Sequence, residues 1–202
     1  MGARLAAALA ATALITGLAS GSHTAAPAPD GAAAVKPVVS GVTTPTKQGP
    51  SSPSVAVPGT YRWYPEHARG TCITAHGGVA RHAKIDQYRC VNGAGNQRWY
   101  VEAVNASMMT KIHPAGNMNL CVDIPGGSYN QGTQPVLWNC NGRVNQQFLL
   151  LCGGNHTHCQ VRPAAGSQRH KCLSVQGGSS ANNARLILWK CNGAKDQKFT
   201  FR

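Results

Sequence analysis

The sequence predicts an all-β fold, a closed domain of pseudo-threefold symmetry assembled from copies of one unit of about four strands. Two observations carry most of this. The stretches 72–99, 121–148 and 172–199 read alike, and each ends in a glutamine two residues before an aromatic: Gln97 and Trp99, Gln146 and Phe148, Gln197 and Phe199. These glutamines are 49 and 51 residues apart, so the period holds across the C-terminal part of the 202-residue chain. In addition, short apolar runs at 120–124, 136–138, 148–151, 186–189 and 199–201 are separated by Gly-Gly, Asn-Gly and Pro, without a helical period. A unit this small cannot bury its apolar face alone, so the copies must pack on one another.

Taken in order, residues 1–26 have the pattern of a secretory signal peptide. Arg4 precedes an Ala/Leu-rich run that ends in the small residues Ala19, Ser20 and Gly21. The run is shorter than the roughly 20 residues of a membrane span, which favours export and cleavage between Gly21 and Ala26 over a retained anchor. Residues 27–58 contain no Cys and no aromatic but are crowded with Pro, Ala, Ser, Thr and Val. Such a segment buries too little apolar surface to offset its ordering entropy, so a disordered linker is expected. The domain proper is expected at 59–202, with repeats near 60–107, 108–158 and 159–202.

All eight cysteines lie between residues 72 and 191. An even count in an exported chain points to disulfides. Cys72 and Cys90 are 18 apart, while Cys121 and Cys140, and Cys172 and Cys191, are 19 apart. Repetition of that spacing selects these three pairs and leaves Cys152 to pair with Cys159. Each longer loop so closed stabilises the fold by about 3 kcal/mol on the chain-entropy view. The segment 152–159 also carries His156 and His158, enough donors for a tetrahedral zinc site. An oxidising compartment favours the disulfide, so no metal is expected, and the two histidines alternate as exposed positions on a hairpin strand would.

Lys and Arg outnumber Asp and Glu by 19 to 6, for a net charge of +13. The basic residues occur singly among Gly and Asn, without the dense runs of a nucleic-acid arm, and export makes nucleic acid an improbable partner. Attraction to an anionic cell surface or acidic polysaccharide fits the excess, and simple solubility fits it equally.

The Gln-x-aromatic endings, Cys-Val-Asp at 121–123 and Leu-Trp-x-Cys-Asn-Gly at 137–142 and 188–193 together resemble the ricin B-type lectin family over residues 60–202. The resemblance implies a β-trefoil and carbohydrate binding, with one shallow pocket available per repeat. It assigns Trp99, Phe148 and Phe199 to the core, and makes Tyr88, Trp138 and Trp189 the platforms under a sugar ring. One face of a pyranose presents C–H bonds that pack on an aromatic, while its hydroxyls need in-plane partners. A carboxylate accepts from two adjacent hydroxyls, and an amide both donates and accepts.

The middle repeat carries the family's full set. Asp123 and Asn145 are expected to bind hydroxyls, Trp138 to stack, Gln146 to support Asp123 from behind and Asn141 to reach the rim. Val136 stands where the family often has glutamine, so one polar contact is expected to be missing. The first repeat has Thr74 in the aspartate position, with Asp86 in the spot of the frequent glutamine beside Tyr88, Asn96 and Gln97. The third has Ser174 in the aspartate position and Asp196 in place of the asparagine, beside Trp189 and Gln197. Both are weaker candidates.

Catalysis is not expected. A glycosidase sets two carboxyl groups about 5–9.5 Å apart, whereas Glu66, Asp86, Glu102, Asp123 and Asp196 fall at unrelated repeat positions. No serine sits in a recognisable nucleophile elbow. The leading expectation is a secreted, cofactor-free lectin module for galactose-type or xylan-type sugars. The alternative is a trefoil that binds protein, as a protease inhibitor or a receptor-binding toxin subunit with vestigial sugar sites. Oligomeric state is not legible.

Overall fold

The computed structural model describes residues 54–55, 58–104 and 108–202. The signal-peptide reading and nearly all of the linker reading lie outside the described residues. Hydrogen-bonded structure begins before Gly59, because β1 (Ser54–Val55) pairs with β10 (Phe148–Cys152). β1 falls within the stretch that composition marks as linker.

The remaining strands are β2 (Gly59–Tyr61), β3 (Trp63–Pro65), β4 (Thr71–Ala75), β5 (Ile85–Arg89), β6 (Trp99–Ala103), β7 (Met109–Pro114), β8 (Leu120–Asp123), β9 (Val136–Asn139), β11 (Gln160–Pro163), β12 (Lys171–Val175), β13 (Ala184–Lys190) and β14 (Phe199–Phe201). β2 and β3 act as one broken strand around Arg62, which exchanges backbone bonds with Arg202. From it a ring of antiparallel neighbours runs through β6, β7, β10 and β11, then by the Cys159–Phe199 bridge to β14 and back to β3. Closure removes the exposed edges that an open sheet would present. Over one end sit three hairpins, β4–β5, β8–β9 and β12–β13, one from each repeat. The result is the β-trefoil that the resemblance implies.

The repeat has a structural meaning at each shared position. Trp99, Phe148 and Phe199 are fully buried, and Trp63 packs against Trp99, Phe199 and Phe201 at the centre of the core. Opposite these three aromatics stand Pro114, Pro163 and Pro65, at the ends of β7, β11 and β3. Each glutamine ends a one-turn 3-10 segment, at Gly95–Gln97, Val144–Gln146 and Lys195–Gln197. Its amide then grips the chain on both sides of the second cysteine. Gln146 donates to the Asn139 carbonyl and accepts from the Asn141 N–H; Gln97 and Gln197 make the same pair of bonds with Arg89 and Val91, and with Lys190 and Asn192.

Four disulfides link Cys72 to Cys90, Cys121 to Cys140, Cys152 to Cys159 and Cys172 to Cys191. The first, second and fourth fasten each hairpin at its base. The loop between Cys152 and Cys159 is not a hairpin strand, in contrast to the sequence expectation. Its centre is a 3-10 turn, Gly154–His156, and His156 and His158 both have left-handed φ, of 54° and 53°. The left-handed positions interrupt the alternation that a strand would need, although Gly153 and Thr157 on either side of the turn are extended. His158 instead meets Glu66, with its Nδ1 2.9 Å from Oε2.

Candidate binding site in the middle repeat

Asp123 ends β8 and faces Val136 across the hairpin, so its carboxyl emerges where the strands open. The following turn, with Gly126 and Gly127 at φ 61° and 64°, bends the chain away and walls one side of a cavity of about 690 Å³. A side chain at either glycine would be held in a backbone region that L-residues seldom adopt. Asp123, Tyr129, Trp138, Asn141, Arg143 and Asn145 line this cavity together with His82.

The carboxylate is only 4% exposed and is held by amides. Its Oδ2 accepts from Asn145 Nδ2 at 2.9 Å and from Gln146 Nε2 at 2.8 Å. Oδ1 has no donor among the described residues. Burial pushes the Asp123 carboxyl above the usual aspartate range, and the bonds from Gln146 and Asn145 pull back part of that rise. One oxygen is thus fixed while the other keeps its accepting capacity. Asn145 is itself anchored, since its Nδ2 also donates to the Ile124 carbonyl. Gln146 is fully buried, so it does not reach a ligand directly but acts through Asp123. Asn141 lies on the rim, with its Oδ1 accepting from the Arg143 N–H and its Nδ2 without an acceptor among the described residues.

Trp138 is half-buried and not a bare platform. The His82 ring stands perpendicular to it at 4.5 Å between centroids, and the Arg81 guanidinium lies over it at 4.8 Å. Both come from the first repeat. Their loop is stitched to β9 by His82 N–H to the Leu137 carbonyl and by Leu137 N–H to the Ala83 carbonyl, each 2.8 Å. Sequence comparison among the repeats could not reveal this, because the contact runs between copies. Tyr129 was also not legible. Its hydroxyl is buried without a partner among the described residues, and burial together with the Asp123 charge raises its pKa.

In the first repeat Tyr88, Asn96 and Gln97 do converge with Thr74 and Asp86, on a cavity of about 410 Å³. Gln97 is buried and spends its amide on Thr74 Oγ1 at 3.0 Å, and Asn96 Nδ2 donates to the Ala75 carbonyl. Asp86 sits directly across the ladder from Thr74 and bonds His76 Nδ1 at 2.6 Å. Burial raises the Asp86 pKa despite that partner. In the third repeat Ser174, Trp189, Asn192 and Asp196 share a cavity of about 430 Å³. Trp189 is 43% exposed there. Gln197 is buried behind them and bonds backbone only. Ser174 Oγ donates to Asp196 Oδ2.

Among the described residues, one group offers three potential metal ligands at close range: His113, Cys121 and Cys140. Both sulfurs are in one disulfide, and the imidazole is occupied by the Leu120 carbonyl and Glu102. That chemistry does not fit an ion.

A family model described as the ricin-type beta-trefoil lectin domain matches residues 58–148 and 108–202, which is more than half of the chain. Serine protease 1 of Rarobacter faecitabidus is 29% identical over 176 residues. The match takes in 70% of this chain but only 32% of that curated relative's length. Among solved structures, the Rhizoctonia solani agglutinin aligns with a TM-score of 0.60 at 18% identity, covering 74% of this chain and 98% of that one. The C-half of an earthworm R-type lectin, solved in complex with GalNAc, aligns with a TM-score of 0.52 at 16% identity, covering 71% and 97%. At these identities the structural likeness shows the fold.

Proposed function

The chain belongs to the ricin-type β-trefoil lectin family, and we propose that it is an exported, non-catalytic glycan-binding module whose main site is the cleft of the middle repeat. The observation that carries this reading is the state of Asp123. Two amides hold Oδ2, while Oδ1 lies unclaimed beside Trp138 in a cavity of about 690 Å³. In this reading a pyranose packs its C–H face on the part of Trp138 that His82 leaves open. Two hydroxyls then donate to Asp123, and Asn145 and Asn141 complete the contacts at the rim. Galactose-type sugars are the first ligands to test, since the earthworm lectin was solved with GalNAc; xylan-type sugars are the second.

The absence of catalysis is supported by the distribution of acid groups. Each of the cavities described above is lined by a single carboxylate, Asp123, Asp86 or Asp196. A glycosidase needs a facing pair. The third cleft is a weaker second site in this reading, and the first is the least complete.

The experiment is binding of immobilised galactosides and xylo-oligosaccharides by the wild type, Asp123→Ala and Trp138→Ala. Loss of binding in both variants supports the middle site. Binding that survives both at undiminished strength moves the site elsewhere. No binding to any glycan turns the reading to a protein-ligand trefoil, the alternative that Thr74 and Ser174 favour by replacing the usual carboxylate.

A further inference from the structure

Beside the Asp123 cleft lies a second basin of about 710 Å³, open to solvent where side chains from all three repeats meet. His76, His82 and Lys84 come from the first repeat, Gln134 from the second and Arg185 from the third. The backbone fixes this meeting: Lys84 bridges to Val136, and Arg185 is in register with Asp86. Basic residues that are far apart in the chain are therefore neighbours on the surface.

Arg185 is positioned rather than loose. Its Nε donates to Gln134 Oε1 at 2.9 Å, and Gln134 Nε2 in turn donates to the Ile85 carbonyl at 2.9 Å. One of its terminal nitrogens reaches the Gly132 carbonyl at 3.4 Å. The guanidinium is thus held with N–H donors to spare. The Lys84 ammonium has no acceptor among the described residues. Among the described residues the only carboxylate lining the basin is Asp86, which is almost fully buried and bonded to His76, whereas Lys84 and Arg185 are exposed. His82 lines both this basin and the Asp123 cleft, which makes the two cavities adjoining subsites.

We infer that the basin formed by Lys84, Arg185 and His82 receives an anionic group, a carboxylate or a sulfate ester, on the saccharide unit next to the one held at Asp123 and Trp138. The domain then selects acidic over neutral oligosaccharides. This rests on the sugar reading of the Asp123 cleft and gives it a substrate class. A held guanidinium offers paired donors to a planar or tetrahedral oxyanion, and the ammonium adds a second charge.

The test compares a neutral galacto-oligosaccharide with its uronate-bearing and its sulfated counterparts by calorimetry at low ionic strength. The wild type should prefer at least one acidic form by about five-fold, the range of one or two exposed charge pairs, and the preference should narrow as salt is added. Which acidic form gains tells carboxylate from sulfate. Lys84→Ala/Arg185→Ala should bind the neutral sugar as the wild type does and lose the preference. Lys84→Gln, which breaks no hydrogen bond among the described residues, should lose part of it. Arg98→Ala/Arg169→Ala removes the same charge from residues that line neither cavity and should keep the preference in full.

Three results overturn the inference: equal affinity of the wild type for neutral and acidic forms, a preference that survives both Lys84 variants, or an equal loss in the distant variant, which would reduce the effect to net charge. If the wild type binds no saccharide at all, the Asp123 reading fails and this inference fails with it. If the neutral form binds without preference, only the basin is refuted.

Discussion

Gln146→Leu removes a buried amide whose bonds can be apportioned, because the fold supplies its own controls. Gln146 and Gln197 make the same two backbone bonds at 2.8–2.9 Å around the second cysteine of their repeats. Gln146 alone adds a bond to a carboxylate, Asp123 Oδ2, at 2.8 Å. Gln97 adds one to a neutral hydroxyl, Thr74 Oγ1, at 3.0 Å. A hydrogen bond to a charged group contributes about 1.5–3 kcal/mol and a neutral one about 0.5–1.5 kcal/mol. Gln146→Leu should therefore cost about 2 kcal/mol more than Gln197→Leu, with Gln97→Leu between them. For a domain of this size that is a further fall in Tm of roughly 4–8 °C. The assay is thermal and urea unfolding with disulfides intact at neutral pH, repeated in acid. Gln146 lowers the folded pKa of Asp123, so the stability it adds is present when Asp123 is ionised and lost as pH falls through that folded value. A Gln146→Leu cost equal to that of Gln197→Leu, or an excess undiminished by acid, would refute the reasoning.

Other expectations follow from the same residues. In the proposed site a sugar's hydroxyls donate to ionised Asp123, whose pKa is raised by burial, so affinity should begin to fall at a pH above the ordinary aspartate value of about 3.9. Asn145→Ala removes a donor that lowers this pKa and should move the fall to still higher pH, as read by calorimetry across a pH series. Because the folded pKa lies above the unfolded one, ionised Asp123 costs stability as pH rises through the folded value. Asp123→Asn should therefore be at least as stable as the wild type at neutral pH while losing sugar binding, a combination that chemical denaturation and a sugar column check together. Glu102 behaves oppositely. Burial opposes its ionisation, but bonds from His113 and Lys111 and their charges hold its pKa below the usual value. Its contribution is complete above the unfolded pKa and disappears as pH falls through the folded one, so Glu102→Gln should destabilise at neutral pH and match the wild type in strong acid.

The trefoil was legible because it is written three times. Gln97, Gln146 and Gln197, the hairpin cysteines and the closing aromatics each answer a demand that the fold makes once per repeat, so phase alone reveals them. Pro65, Pro114 and Pro163 carry the same period. They meet the three core aromatics across the barrel. What phase cannot reveal is contact between unlike positions of different copies. Arg81 and His82 reach Trp138, and Arg185 reaches Gln134, through hairpin packing that no single repeat encodes. Gln146, expected from its place in the pattern to support Asp123 from behind, is buried and donates to Asp123 Oδ2.

The third cleft arranges the same two positions differently. In the middle repeat Asn145 donates from the 3-10 turn to Asp123 on the strand. In the third, Ser174 on the strand donates to Asp196 on the turn. The two pairs occupy the same places, and one hydrogen bond is kept with donor and acceptor exchanged. A carboxylate is therefore retained beside Trp189, displaced by the width of that bond instead of lost. The displacement has a consequence for affinity. Asp123 has two amides on one oxygen and a buried setting, whereas Asp196 has one hydroxyl partner and an adjoining tryptophan that is 43% exposed, so a sugar there gains less from desolvation. The third cleft should bind the same sugar at least ten-fold more weakly than the middle one. Asp123→Ala should then leave a weak residual signal on a dense sugar surface, and adding Asp196→Ala should remove it. A residual signal that persists in the double variant would place the second site outside the third cleft, and equal affinities in the two clefts would show that the setting of the carboxylate does not govern binding.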